Sequence, residues 1–299
     1  MEVNKRIGEG KMQGQLHQLL EGLLYSSVFI SFCGFALTVE TYLLARLPVS
    51  LPMAVFVFLA TLFTYNLSSV QSILRHPSQR VNSQDPVWGQ RHKKGLAVLG
   101  VLSISAAVVL YFWFDLRVNP WFLLHLALIS IGYTVPVLYK RRRVKPLRSV
   151  PLLKVFLIAY VWAVVTAVLP LLDAGMEVWQ PETVKFFLRR FLFILALALL
   201  FDIRDYTYDK GMNTLTFPGW IGVRNTKLFS LGLLLLYVLV LLSSESGLIL
   251  WALVASAVGA AVIVWRSAVN RPRAYFAILA DGAMLLHAGL VFLATAVVG

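Results

Sequence analysis

Three acidic residues fall within eight positions in the segment Phe201-Asp202-Ile203-Arg204-Asp205-Tyr206-Thr207-Tyr208-Asp209-Lys210. Asp202 and Asp205 are three apart, and Asp205 and Asp209 are four apart. A helix places all three on one face. The whole chain has only 14 acidic residues, so this concentration marks the segment. Carboxylates so close repel one another unless they share a cation. Magnesium suits the task, because it takes one or two carboxylates and leaves sites for water and phosphate oxygens. A plainer reading competes with this one: a solvated helix end in which Arg204 and Lys210 pair with the acids.

The elements that position these residues are membrane helices. The chain has 299 residues, of which 59% are hydrophobic and 14% charged, with a mean hydropathy of +0.77. A water-soluble fold of that size could not hide so much apolar surface, so the bilayer must be its solvent. Apolar runs long enough to span the hydrocarbon lie at 23–45, 50–74, 95–115, 118–139, 150–172, 185–205, 227–244, 247–266 and 276–298. The expected fold is therefore all-α, a polytopic bundle of about nine helices forming a single integral membrane domain over residues 1–299. The polar segment 1–22 lacks a signal-peptide layout, so the first apolar run is expected to stay as a membrane helix. The lone cysteine, Cys33, excludes an internal disulfide and a cysteine-built metal site, and reads as a small buried hydrophobe.

Charge distribution orients the bundle. Of the 27 basic residues, 22 fall in the N-terminal segment and in the connections after helices 2, 4, 6 and 8. The opposite face holds only Arg46, Arg117, Lys185, Arg189 and Arg190. By the positive-inside rule the N-terminus is cytoplasmic, the C-terminus lies on the other side, and the acidic cluster sits at the cytoplasmic end of helix 6. The protein is thus expected in the cell (inner) membrane. The net charge of +13 reads as topology and anionic-lipid contact, not nucleic-acid binding, since no aromatic-basic module is visible. The connections after helices 2 and 6, about Arg75–Lys94 and Tyr206–Lys227, read as long polar loops on that face.

Asp202-Ile203-Arg204-Asp205-x-x-x-Asp209, then Lys210-Gly211-x-Asn213-Thr214-Leu215 and Gly222, resembles the second aspartate motif of the UbiA superfamily of intramembrane prenyltransferases. Helix number and site position fit as well, and the basic loop from Tyr139 and Lys140 to Arg148 is similar to the family's loop after helix 4. The resemblance implies an isoprenyl diphosphate that enters from the bilayer, is bridged by magnesium to aspartate motifs, and gives its isoprenyl group to a lipophilic acceptor. It makes Asp202, Asp205 and Asp209 metal-binding and catalytic. Arg204, Lys210, Arg75, Arg80 and Lys140 become candidates for binding the diphosphate.

The family's first motif, expected at the end of helix 2, has lost its aspartates here. The stretch from Thr64 to Arg80 keeps Asn66, Pro77 and Arg80 but contains no acid. Its polar string, Thr64, Asn66, Ser68, Ser69, Gln71 and Ser72, reads either as a cavity lining or as interhelical hydrogen bonding. A prenyl transferase with one metal centre is the first expectation. A non-catalytic polyprenyl- or lipid-binding protein is the second, and a transporter the third. Among other ionisable residues in the membrane, Asp281 is expected to pair with Arg271 or Arg273, and His125 and His287 to be hydrogen-bonded packing residues. Glu40 lies near the far end of helix 1, away from the cluster.

Overall fold

The computed structural model describes residues 22–23, 26–75, 91–134, 138–140, 143–145, 150, 152–211, 214–272 and 274–298. Among them the chain forms nine helices: α1 (Val28–Leu44), α2 (Leu51–Arg75), α3 (Lys93–Trp113), α4 (Pro120–Thr134), α5 (Leu153–Asp173), α6 (Pro181–Gly211), α7 (Phe217–Leu242), α8 (Gly247–Arg266) and α9 (Tyr275–Val298). Each apolar run of the sequence becomes one helix. Six of them, α2, α3, α5, α7, α8 and α9, are long and apolar enough to cross a membrane. α1 and α4 are shorter apolar helices. α6 has the length, but Arg189 and Arg190 stand toward one end and Asp202, Arg204 and Asp205 toward the other. The protein is an integral, multi-pass helical bundle.

α6 forms the centre. Phe193, Ala196, Leu199 and Leu200 are fully buried, because α5 and α7 pack along its length. α1 packs on α2 and α9, α2 packs on α3, and α8 joins α7 to α9. Outward positions such as Val101, Leu102, Val109 and Phe112 of α3 are exposed, as a lipid-facing surface requires. Exposed tryptophans collect at helix ends: Trp113, Trp121 and Trp179 at one end of the bundle, and Trp220 and Trp265 at the other. This is where an indole finds both hydrocarbon and headgroup. Small residues bring the backbones together, as at Gly100 of α3, whose missing Cβ would lie 3.6 Å from the Asn66 Cβ of α2.

Two helices contain π turns, Val164–Val168 in α5 and Tyr275–Ala280 in α9. A short antiparallel hairpin, Leu138–Lys140 with Arg143–Lys145, stands in the basic connection after α4, with Tyr139 opposite Val144. The all-helical expectation holds within the membrane and gains this hairpin outside it.

The expected long polar loop after helix 6 is corrected. α6 runs on through Gly211, and α7 begins at Phe217 instead of residue 227. Pro218 suits the first turn of a helix, and Phe217 is buried, but Arg224, Asn225 and Lys227 dilute the hydropathy of the turns that follow. α7 is broken once, at Gly222, whose φ of 83° and ψ of 156° belong to a region open essentially to glycine alone. No atom lies within 4 Å of a Cβ built there, so the restriction is purely one of backbone. Gly222→Ala is expected to destabilise the protein by about 1–3 kcal/mol, read as a lowered thermal midpoint in detergent.

Candidate active site

The helical spacing of the three aspartates brings them to one face of α6, and a lysine of α5 meets them there. Lys154 Nζ lies 3.1 Å from Asp202 Oδ1, 3.7 Å from Asp205 Oδ2 and 3.5 Å from Asp209 Oδ2. The ammonium is largely enclosed, with 16% of the side chain exposed. Its position is set by an unusual start to α5. Leu152 adopts a left-handed conformation (φ 60°), and its N–H donates to the carbonyl of Leu215 at 3.2 Å. That bond ties the first turn of α5 to the segment between α6 and α7, beside the carboxylates. A non-glycine residue held at positive φ is backbone strain, which tends to gather at functional sites.

Asp202 is 1% exposed, the deepest of the three. Its Oδ2 accepts the Phe217 N–H at 3.4 Å, so it also caps the start of α7. Its Oδ1 is paired with Lys154 by charge but takes no hydrogen bond, leaving an oxygen with coordinating capacity to spare. Arg204 grips Asp205 with its fork, Nε to Oδ1 at 2.7 Å and Nη2 to Oδ2 at 3.0 Å, and stacks 4.9 Å from the Phe201 ring. Burial pushes the Asp209 carboxyl above its ordinary pKa, with the Lys154 ammonium opposing that shift. Three carboxylates against Lys154 and Arg204 leave a net charge of −1 on this group.

The plainer reading of the cluster is half met. Arg204 pairs as that reading requires, whereas Lys210 is exposed. The cation common to all three acids is Lys154, which sequence reasoning counted only as a loop charge. Its signal was available: it is the one charged residue in the apolar run 150–172 before Asp173.

α2 presents a different side from the one its motif position implied. Asn66 is fully buried, its Oδ1 accepts from Ser27 Oγ at 3.4 Å, and its Cβ faces Gly100. Its Nδ2 has no hydrogen-bond partner. The neighbouring Tyr65 looks toward α5: its hydroxyl accepts the Trp162 Nε1–H at 3.2 Å, and the two rings meet edge-on at 6.4 Å. The side chain of Arg75, the side chain of Lys140 and the whole of Arg80 lie outside the described residues.

Of the two partners expected for Asp281, Arg271 bonds to the carbonyl of Arg266 and lies over Tyr275 instead, and Arg273 lies outside the described residues. The Asp281 backbone carbonyl accepts from Cys33 Sγ at 3.4 Å, which joins α9 to α1. At the far end of the bundle Glu40 pairs with Arg190 at 3.0 Å and with His287 Nδ1 at 3.0 Å, and the Tyr237 hydroxyl reaches His287 Nε2 at 2.8 Å. His287 is thus a hydrogen-bonded residue of the interior. His125 packs against Phe122 and Tyr160.

Among the described residues no three His, Cys, Asp or Glu side chains are gathered tightly enough to enclose a metal ion as they stand. The α6 carboxylates fit a hard divalent cation in donor type and in the unbonded Oδ1 of Asp202, with the ammonium of Lys154 now standing among them.

No protein family and no curated protein sequence matches the chain. Solved structures do. A UbiA homologue from Aeropyrum pernix K1 in its apo form superposes with a TM-score of 0.60 at 16% identity, covering 90% of this chain and 98% of that one. A UbiA homologue from Archaeoglobus fulgidus bound to GPP and Mg2+ gives 0.59 at 15% identity, over 93% and 98%. A structure of digeranylgeranylglyceryl phosphate synthase gives 0.52 at 16% identity, over 94% and 98%. Near-complete coverage of both partners means that the whole architecture is shared, and the chain has the fold of the UbiA-type intramembrane prenyltransferases.

Proposed function

We propose that this protein is a member of the UbiA superfamily that binds an isoprenyl diphosphate at the α5–α6 end of the bundle and transfers the isoprenyl group to a lipophilic acceptor. The observation that carries the reading is the convergence of Asp202, Asp205 and Asp209 on one cation at the end of a buried membrane helix. A fold shared with a homologue bound to GPP and Mg2+ supports it.

In this reading Asp202, Asp205 and Asp209 would hold magnesium, which would supply Lewis-acid charge stabilisation for the leaving diphosphate. Lys154 and Arg204 add fixed positive charge beside the phosphate oxygens. By the family resemblance, Lys210, Arg75, Arg80 and Lys140 are the candidates to add further basic charge. Asn66, whose Nδ2 has no hydrogen-bond partner, is the remnant of the first motif. Tyr65 and Trp162 offer π faces to an allylic cation and keep water from it. The C–O bond to diphosphate breaks to leave the allylic cation, and the electron pair of that bond leaves with the diphosphate. The acceptor's electron pair forms the new bond to the allylic carbon, and the acceptor gives up a proton to the released diphosphate or to water. The positive-inside bias supports a cytoplasmic position for this end.

One observation favours a second reading, binding without turnover: residues 64–80 of α2 and its connection contain no carboxylate to build the other half of a metal cage. A single experiment separates the two. Purified protein is titrated with geranylgeranyl diphosphate with and without magnesium, and diphosphate release is followed with a panel of quinone-precursor acceptors. The transferase reading expects magnesium-dependent binding and release. Magnesium-independent binding with no release would leave only the binding protein.

A further inference from the structure

A divalent ion using the α6 carboxylates needs the same oxygens that Lys154 now holds. Lys154 Nζ stands 3.1–3.7 Å from one oxygen of each aspartate. Magnesium binds oxygen at about 2.0–2.1 Å with strict octahedral directions. Ammonium and metal cannot both occupy the middle of this face. Yet the lysine cannot simply leave, because the enclosed carboxylates of Asp202 and Asp209 would lose the counter-ion they share with Asp205.

We propose that Lys154 is an exchangeable counter-ion: in the ligand-free protein it holds Asp202, Asp205 and Asp209 together, and it passes to the diphosphate when a divalent cation takes its place. This rests on the reading of the site as a diphosphate site. The side chain suits the task. Lysine is a point charge on a flexible four-carbon stem, so its ammonium swings while its Cα stays fixed. Here the Cα is fixed by the Leu152 turn and its bond to Leu215. Arg204 does not compete for the role, since its fork is already engaged with Asp205.

The exchange couples two ligands. Metal arriving alone must displace an ammonium that has no other anion to receive it. Diphosphate arriving alone meets three carboxylates. Together each removes the other's obstacle, so each raises the other's affinity by the same factor. The loss of acids from residues 64–80 makes the coupling tight, since no other acidic set in that stretch can take the metal first.

The test uses the full chain in detergent, manganese as the metal probe read by its free-ion electron paramagnetic resonance signal, and inorganic diphosphate as the anion. The unaltered protein is expected to bind manganese weakly alone and on the order of 10-fold or more tighter with diphosphate. Lys154→Met frees the carboxylates, so manganese alone should bind on the order of 10-fold tighter than to the unaltered protein, and the benefit from diphosphate should shrink to a few-fold. Lys154→Arg is the opposite probe. Its rigid fork grips the carboxylates, and manganese binding in the presence of diphosphate should weaken. Manganese binding to Lys154→Met no tighter than to the unaltered protein overturns the exchange, as does undiminished coupling in that variant. If Lys154→Met does not fold, Lys154→Arg decides alone: manganese affinity with diphosphate equal to that of the unaltered protein overturns it. Should manganese behave as expected while geranylgeranyl diphosphate fails to bind, the exchange stands and the prenyl reading falls.

Discussion

Asp202→Asn is expected to lower magnesium-dependent affinity for geranylgeranyl diphosphate by roughly 100-fold or more, the scale on which metal sites lose affinity when their ligand shells are altered. The substitution keeps shape and removes charge. The amide oxygen of the new side chain can still accept the Phe217 N–H that Asp202 accepts at 3.4 Å, so the start of α7 stays capped. What is lost is the deepest carboxylate of the cluster and the partner that stands nearest to Lys154. Stability should therefore change by no more than about 1 kcal/mol, the usual worth of a single hydrogen bond. The measurement is a calorimetric titration with magnesium present, alongside thermal unfolding of the same samples. Affinity within a few-fold of the unaltered protein, in a variant that unfolds normally, would remove Asp202 from the site.

The second large effect lies at the other end of the bundle and concerns stability alone. Arg190→Met should destabilise the protein by about 3–5 kcal/mol, because it leaves a buried carboxylate without its guanidinium. Glu40 is 1% exposed and Arg190 is 5% exposed. Arg190 Nη1 bonds Glu40 Oε2 at 3.0 Å, and Nη2 reaches Thr41 Oγ1 at 3.2 Å and the Leu37 carbonyl at 3.3 Å. Those contacts fasten α1 to α6, while His287 brings α9 to the same carboxylate. The double variant with Glu40→Gln should recover much of the loss, since the orphaned charge is gone. Chemical or thermal unfolding in detergent checks both. Folded Arg190→Met should bind geranylgeranyl diphosphate normally, because the pair belongs to the opposite end of α6 from Asp202.

Local patterns were readable in the sequence and cross-helix partnerships were not. The three-and-four spacing of Asp202, Asp205 and Asp209 fixes a shared face whatever surrounds it, and one lysine does touch all three. Nine apolar runs gave nine helices because the hydrocarbon sets a minimum length. Lys154 escaped notice because its partners are about fifty residues away, and only the packing of α5 on α6 brings them together. Glu40 and Arg190 are separated further still. The start of α7 was missed for another reason: its first turns carry Arg224 and Lys227 at the membrane boundary, where hydropathy says little. Asn66 could be read only as far as its polarity: that its Oδ1 would meet Ser27 and its Cβ would face Gly100 depends on helix packing that the local pattern does not carry.

The π turns in α5 and α9 have a consequence for how sequences of this kind should be lined up. A π turn takes one more residue than an α turn, so it absorbs an inserted residue without rotating the helix on either side. Val164–Val168 and Tyr275–Ala280 are therefore places where a related chain can be one residue shorter and keep every face in register. An ungapped alignment carried through them slips by one position, or about 100° of helix. Past Ala280 such a slip exchanges lipid-facing for inward-facing positions, and it would set a neighbour of Asp281 in the place that Asp281 itself occupies.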